Sequence, residues 1–252
     1  MKKYLLAAVL LSSSAYASFE EPSCLKKNVD LWTRIYTEID ADTALVLDVE
    51  TMEILEVLHN FPEEQKPRRS TAGKVKKRYE KDGIKVRVLT GIKTRFNEGI
   101  DRFIKYKPLV IKELRKQNLP IEIAALPHVE SSYNPAARSK VGAVGMWQVM
   151  PATARLLGFN PKRLPDPGYN TMVGVAVLSN NYESLQSWPL AITAYNHGLN
   201  GVQKAVRSTG SSDICTIMSN YQGPRFGLSS KNFYASFLAV LRVLRERGLL
   251  SE

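Results

Sequence analysis

One glutamate is the leading candidate for a catalytic residue. Glu130 follows an almost wholly apolar segment, 121–129, and precedes a turn at Asn134 and Pro135. This pattern predicts a buried helix with a carboxyl group at its end. Burial raises the pKa of a carboxyl group, because the ionised form loses solvation. A glutamic acid that is protonated near neutral pH can donate a proton to a glycosidic oxygen. A helix-capping or salt-bridged glutamate is the alternative interpretation.

The other acidic residues are placed unevenly around this glutamate. No Asp or Glu occurs at 131–165, and the next acid, Asp166, stands between two prolines. Glycosidases commonly use two carboxyl groups, one on each side of the bond that they cleave. The spacing therefore favours a mechanism with one carboxylate, unless the fold brings a distant acid back to the site.

Metal, cofactor and serine-nucleophile chemistry find no support in the sequence. The three histidines, His59, His128 and His197, are far apart, and neither C-x-x-C nor H-E-x-x-H occurs. The G-x-S-x-G pattern of serine hydrolases is absent as well. We therefore predict no metal site and no cofactor.

Four ordered motifs surround and follow Glu130. They are E-S-S-Y-N-P at 130–135, G-A-V-G-M-W-Q at 142–148, P-A-T at 151–153 and A-Y-N-H-G at 194–198. Together they resemble the lytic transglycosylases of the goose-lysozyme-like superfamily, and in particular the membrane-bound lytic murein transglycosylase D type. The resemblance extends from about residue 84 to 240.

This resemblance implies a lysozyme-like α-helical fold and a substrate, the glycan strands of peptidoglycan. It implies that Glu130 is both catalytic acid and base in cleaving the β-1,4 bond between N-acetylmuramic acid and N-acetylglucosamine, which leaves 1,6-anhydro ends. The substrate-binding residues that it implies are Ser139, Met146, Gln148, Tyr195 and Asn196. Among them, Ser139 would hydrogen-bond near Glu130 or the N-acetyl group, and Met146 and Gln148 would line the glycan groove. Tyr195 and Asn196 would position the muramic acid residue and Glu130.

Two departures from the family pattern leave alternatives open. The family's E-T-R-x-Y near the last helix is replaced here by S-S-K-N-F at 229–233, and His197 stands where a small residue is common. His197 either narrows a sugar subsite or is a surface histidine. A hydrolytic, lysozyme-like variant, on acetylated or deacetylated glycan, and a binding relative that no longer cleaves are the alternative functions.

The N-terminus has the pattern of a secretory signal peptide. Lys2 and Lys3 precede an apolar run at 4–11, and an A-x-A pattern ends at Ala17. We predict a signal peptide at 1–17 and an exported protein, periplasmic or secreted, without a membrane-spanning segment after its removal. Cys24 and Cys215 then form a disulfide or remain two free thiols; an oxidising compartment permits the disulfide.

Charge divides the mature chain. The formal net charge is +11, yet residues 18–64 hold 12 acids and 3 bases, a balance of −9, while 65–252 hold 30 bases and 12 acids, a balance of +18. The basic part is either a solvated face or a surface that attracts an anionic polymer. Nucleic acid is not predicted as a partner, because no nucleic-acid-binding motif occurs.

The predicted fold is mainly α, with a small N-terminal helical or extended arm. We predict an acidic helical arm and basic linker at 18–83 and a catalytic domain at 84–252. Residues 25–60 carry helical spacing and are expected to form two or three short helices, while 84–88 alternate as a short strand or extended arm. Two helices are expected from 91 to 119. Asn170 is expected to cap a helix, and the last long helix is expected at about 230–247.

Overall fold

The computed structural model describes residues 19–61 and 71–250. The predicted signal peptide at 1–17 and the basic run at 66–69 lie outside the described residues. Within the described part of the chain, no helix combines the length and the apolar character that crossing a bilayer requires.

Ten α-helices and three short strands make up the described chain. The mainly α prediction is therefore confirmed. The elements, in chain order, are α1 (Lys26–Thr37), β1 (Ala44–Asp48), β2 (Ile54–Leu58), α2 (Thr71–Glu80), β3 (Val86–Thr90), α3 (Lys93–Lys116), α4 (Leu126–Ser131), α5 (Pro151–Leu156), α6 (Pro167–Leu185), α7 (Trp188–His197), α8 (Leu199–Thr209), α9 (Ile214–Asn220) and α10 (Leu228–Glu246), with short 3₁₀ turns at Ser23–Leu25, Ile121–Ala125 and Pro161–Arg163.

The three strands form an antiparallel sheet in the order β2-β1-β3, with Ala44 paired to Leu58 on one side and to Thr90 on the other. The helices expected after residue 43 are therefore wrong, whereas the strand near 84–88 is confirmed. Strand β1 is buried on both faces, because Leu45 and Leu47 pack against α1 and Val46 packs towards α2. A strand covered on both sides is continuously apolar and lacks the alternation that would identify it.

One long helix replaces the two that were expected between 91 and 119. Helix α3 has 24 residues and includes Pro108 in its interior. The proline removes the helical hydrogen bond to the carbonyl of Ile104. Ile104 is 55% exposed, so this bond is lost on the side of the helix that is open to water.

The N-terminal helix belongs to the main hydrophobic core. Val29 and Tyr36 of α1 are buried in the same cluster as residues of α3, α6, α7 and α10. A disulfide joins Cys24, just before α1, to Cys215 in α9, with their Cα atoms 5.9 Å apart. This resolves the alternative between paired and free thiols, and it ties the N-terminal segment to the helical body. The domain boundaries given above stay a prediction.

Candidate active site

Glu130 lies in the last turn of α4. The helix ends at Ser132, which adopts a left-handed conformation with φ of 50°. The residues before Glu130, from Ile123 to His128, are buried, while Glu130 itself is half-buried. Burial raises the pKa of its carboxyl group from an ordinary 4.5 to about 8. The group is therefore mostly protonated at neutral pH, which is the state that an acid catalyst needs.

A tight hairpin, the motif loop (residues 142–149), packs beside the end of α4. The hydroxyl of Ser131 donates a hydrogen bond to the carbonyl of Met146 at 2.8 Å. The same hydroxyl accepts one from the backbone N–H of Asn134 at 3.1 Å. Ser131 thus fixes the motif loop and the turn after α4 relative to the neighbouring Glu130.

Asn170 holds the motif loop from the other side. Its amide oxygen accepts from the N–H of Trp147 at 3.0 Å, and its amide nitrogen donates to the carbonyl of Val144 at 2.9 Å. Asn170 is fully buried inside α6, and Asp166 caps this helix instead by accepting from the N–H of Tyr169. The prediction that Asn170 caps the helix was therefore wrong.

Glycine is required at position 145 of the motif loop. Gly145 has φ of 78°, and a β-carbon there would lie 2.6 Å from the Asn170 amide. Both the left-handed backbone and the close approach exclude a side chain. The second glycine of the G-x-x-G pattern therefore lets the asparagine reach the loop backbone.

Tyr195 connects α7 to the motif loop and to Glu130. Its hydroxyl donates to the carbonyl of Trp147 at 2.7 Å. Burial raises the pKa of Tyr195 well above its usual value, and the charge of Glu130 raises it further. Tyr195 therefore lies within electrostatic range of Glu130, and its positioning role stays a prediction.

A second tyrosine beside Glu130 was missed in the sequence. Tyr36 of α1 is buried and stacks on Phe96 at 5.1 Å between ring centroids. Burial raises its pKa, a hydrogen bond with Ser236 of α10 opposes the rise, and the charge of Glu130 adds to it. The helical spacing of 25–60 indicated a buried face but not where that face would pack, so the sequence offered no signal for this role.

The remaining predicted residues occupy different environments. Gln148, with φ of 46°, is half-buried and donates to the carbonyl of Gly145 at 2.8 Å. The Ser139 hydroxyl accepts from the N–H of Ala143 at 2.9 Å, at the base of the motif loop. The side chain of Met146 is fully buried in the core. The binding roles of these three residues stay predictions, and for Met146 the core position favours support of the site from beneath.

Asn196 is exposed and lines a hollow of about 660 Å³ together with Tyr195 and Thr153. The hollow also includes His197, whose Nδ1 lies 3.1 Å from the hydroxyl of Ser230, and whose ring meets the Phe226 ring edge-on at 4.9 Å. His197 is therefore half-buried and bonded, and whether it narrows a sugar subsite stays a prediction. The two departures from the family pattern contact each other here, because Ser230 belongs to the altered stretch at 229–233.

His128 does not share the proton chemistry of Glu130. It is buried among Phe96, Phe103 and Tyr133, and neither ring nitrogen has a hydrogen-bond partner within the described residues. Burial lowers its pKa to about 3, and the charge of Arg102 contributes to this shift. The imidazole is thus neutral at working pH and serves as part of the core under the site.

Comparison with known proteins agrees with this geometry. Residues 108–218 match the family described as "Transglycosylase SLT domain". This part of the chain is therefore similar to a transglycosylase SLT domain. It contains Glu130, the motif loop and Tyr195, so the resemblance predicted from the motifs is confirmed.

Two relatives and one solved structure illustrate the similarity. The chain is 28% identical over 145 residues to the membrane-bound lytic murein transglycosylase D of Escherichia coli K12, which covers 56% of this chain and 31% of that protein. It is 40% identical over 81 residues to the transglycosylase of Enterobacteria phage PRD1, which covers 32% of this chain and 30% of that protein. The chain thus spans about a third of the length of these relatives.

The structural likeness concerns the fold. The 70 kDa soluble lytic transglycosylase of Escherichia coli superposes with a TM-score of 0.50 at 22% identity, over 58% of this chain and 26% of that one. The lysozyme-like α-helical fold predicted for the SLT domain is confirmed.

Proposed function

We propose that this protein is a lytic transglycosylase that cleaves the β-1,4 bond between N-acetylmuramic acid and N-acetylglucosamine in peptidoglycan. The observation that carries the proposal is the environment of Glu130: a single carboxyl group with a pKa near 8, beside Tyr195, within an SLT domain. Burial alone accounts for the raised pKa of Glu130, and no charge of a second described carboxylate contributes to it. This favours a mechanism with one carboxylate.

In the first step, protonated Glu130 gives its proton to the glycosidic oxygen. The bond from this oxygen to the anomeric carbon of the muramic acid residue breaks, and N-acetylglucosamine leaves with the proton. Positive charge develops at the anomeric carbon, where the N-acetyl oxygen of the same sugar stabilises it. Tyr195 and Asn196 hold this sugar against Glu130.

In the second step, Glu130 is a carboxylate and acts as a base. A carboxylate with a pKa near 8 takes a proton more readily than an ordinary one. It removes the proton from the 6-hydroxyl of the muramic acid residue, whose oxygen bonds to the anomeric carbon and closes the 1,6-anhydro ring. Because the attacking hydroxyl belongs to the same sugar, proximity can lower the barrier by up to roughly 7–11 kcal/mol. Glu130 is protonated again at the end.

Product analysis tests this proposal. Purified sacculi are digested with the wild-type protein and with Glu130→Gln, and the soluble fragments are analysed by mass spectrometry. Muropeptides with anhydro ends, absent with the variant, support the proposal. Fragments heavier by one water indicate the hydrolytic alternative, and binding to sacculi without fragments indicates the non-cleaving one. Parallel digests of acetylated and deacetylated sacculi show which glycan is preferred.

We also propose that the chain is exported. The signal-peptide pattern at 1–17 supports this, and so does the Cys24–Cys215 disulfide, because such bonds persist in oxidising compartments. N-terminal sequencing of the protein from extracytoplasmic fractions is expected to begin near Ser18. A cytoplasmic protein that retains Met1 would contradict the proposal.

A further inference from the structure

A second hollow, the lysine groove, lies between the N-terminal segment and the C-terminal helices. Its volume is about 680 Å³. One wall comes from the start of α1 and from the turn between β1 and β2, and the other from α9, the 222–228 segment and the first turn of α10. The first wall lies outside the SLT domain, so the groove is a feature of this chain's own N-terminal segment.

The groove combines an apolar floor with a cationic rim. Buried or half-buried Leu25, Met52, Met218 and Phe226 contribute apolar surface. Its charged residues are three lysines and one carboxylate, Lys27, Lys85, Lys231 and Glu50. A positive rim over an apolar floor suits a ligand that carries both carboxylates and small apolar side chains.

Two of the three lysines are available to a ligand. The ammonium group of Lys27 is held within the protein by Glu53 at 3.3 Å and by the carbonyl of Thr51 at 3.0 Å. Lys85 is exposed and Lys231 is half-buried, and the ammonium group of neither has a hydrogen-bond or ion-pair partner in the described parts of the chain. These two positive charges are therefore uncompensated at the edge of the groove.

Helix α1 connects the lysine groove to the active site. Asn28 lines the groove, and Tyr36, eight residues later on the same helix, is a neighbour of Glu130. At 1.5 Å per residue this separation is about 12 Å. Helix α10 makes a similar connection, since Lys231 lines the groove and the preceding residue, Ser230, lines the hollow beside Tyr195. The groove also adjoins the hollow that Tyr195 lines, because the ring of Phe226 in the groove meets the ring of His197 in that hollow at 4.9 Å. A substituent on a sugar bound beside Tyr195 could therefore reach the groove.

We propose that the lysine groove binds the peptide stem of peptidoglycan, through Lys85 and Lys231 on its free carboxylates and through the apolar floor on its alanine side chains. The inference rests on the proposed function, because the stem is attached to the muramic acid residue on which Glu130 acts. The groove makes the protein selective for glycan that still carries stems over bare glycan.

The test uses a double charge reversal with a matched control. Lys85→Glu combined with Lys231→Glu changes the groove, whereas Lys77→Glu combined with Lys204→Glu makes the same change of net charge on exposed residues of α2 and α8. Each protein is assayed on sacculi and on glycan strands from which an amidase has removed the stems. The groove variant is expected to raise KM at least about tenfold on sacculi and to leave KM on bare strands within twofold. The control variant is expected to match the wild type on both.

A binding measurement separates this inference from the proposed function. Calorimetry with the Glu130→Gln protein uses a free stem tetrapeptide as probe and polyphosphate as a carboxylate-free polyanion. Tetrapeptide binding that the groove variant loses and added salt weakens supports the inference, even if no anhydro product is found. The inference is overturned if the groove variant changes KM equally on sacculi and bare strands, or if its kinetics are unchanged. It is also overturned if the groove and control variants bind the tetrapeptide with equal affinity. Each of these results leaves the cleavage proposal intact. Binding of polyphosphate but not tetrapeptide would also overturn it.

Discussion

Replacing Glu130 with glutamine should stabilise the protein at neutral pH while abolishing cleavage. The folded protein holds this carboxyl group at a pKa of about 8, whereas the ordinary value that applies to the unfolded chain is 4.5. Between these two values the folded state binds more protons than the unfolded state, so stability falls as pH rises. The direction is opposite to that of a salt-bridged carboxylate, whose pKa is depressed.

The size of the effect follows from the two pKa values. The carboxyl group of Glu130 lowers the free energy of unfolding by about 1.4 kcal/mol for each pH unit above its ordinary pKa. At pH 7, about 2.5 units above that value, this penalty is about 3 kcal/mol. Above pH 8 it reaches its full value of about 5 kcal/mol, and at pH 4 it is close to zero. Glutamine cannot ionise, so the variant avoids the penalty. A gain of about 3 kcal/mol corresponds to a rise in Tm of about 6–12 °C for a chain of this size.

Thermal and denaturant unfolding of wild type and Glu130→Gln at pH 4 to 9 check this expectation. Glu183→Gln, an exposed carboxylate on α6, is the matched control and should show no pH-dependent gain. If the Tm difference between wild type and Glu130→Gln is the same at pH 4 and pH 8, the carboxyl group at position 130 is not desolvated and the reasoning fails. The same pKa should appear in catalysis, with kcat/KM falling above about pH 8 as the general acid loses its proton.

Three further variants test the scaffold around Glu130. Tyr195→Phe removes the hydrogen bond to the Trp147 carbonyl and should lower the free energy of unfolding by about 1 kcal/mol. It should lower kcat by a larger factor than it changes KM, and an unchanged kcat would contradict its positioning role. Asn170→Ala leaves the buried N–H of Trp147 unpaired and removes one of the two hydrogen bonds to the Val144 carbonyl, which keeps its bond from the N–H of Val149. The variant should lower the free energy of unfolding by about 2–4 kcal/mol, measured in urea, and a loss below about 1 kcal/mol would contradict this account. Replacing both Cys24 and Cys215 with serine should cost about 2–5 kcal/mol, and a reductant should lower the Tm of the wild type but not of the variant.

The parts of the fold with a clear local signal could be predicted from the sequence. Helix α10 ends at Glu246, shortly before Gly248 and close to the expected position. Glu130 was identified because an apolar helix and a turn enclose it. Strands β1 and β2 could not be identified, since an apolar run of five residues in β1 fits a helix as well as a doubly covered strand.

The supporting residues of the site could not be predicted for a different reason. Asn170 has the residue type of a helix cap, and only the approach of Gly145 shows that its amide serves the motif loop instead. Tyr36 lies more than 90 residues before Glu130 in sequence, and its position depends on how α1 packs against α10. Such contacts are set by tertiary packing, which local periodicity does not encode.

The packing of α1 also changes how the N-terminal segment should be understood. An arm attached to a complete catalytic domain could be removed without loss, but α1 buries Val29 and Tyr36 in the main core and is tied to α9 by the disulfide. Tyr36 lies close enough to Glu130 for the charge of Glu130 to raise its pKa, and burial is the cause of the raised pKa of Glu130 itself. The electrostatic surroundings of Glu130 therefore include a helix that lies outside the matched residues 108–218. The same helix lines one wall of the lysine groove, so the N-terminal segment contributes both to the surroundings of Glu130 and to the proposed recognition of the substrate.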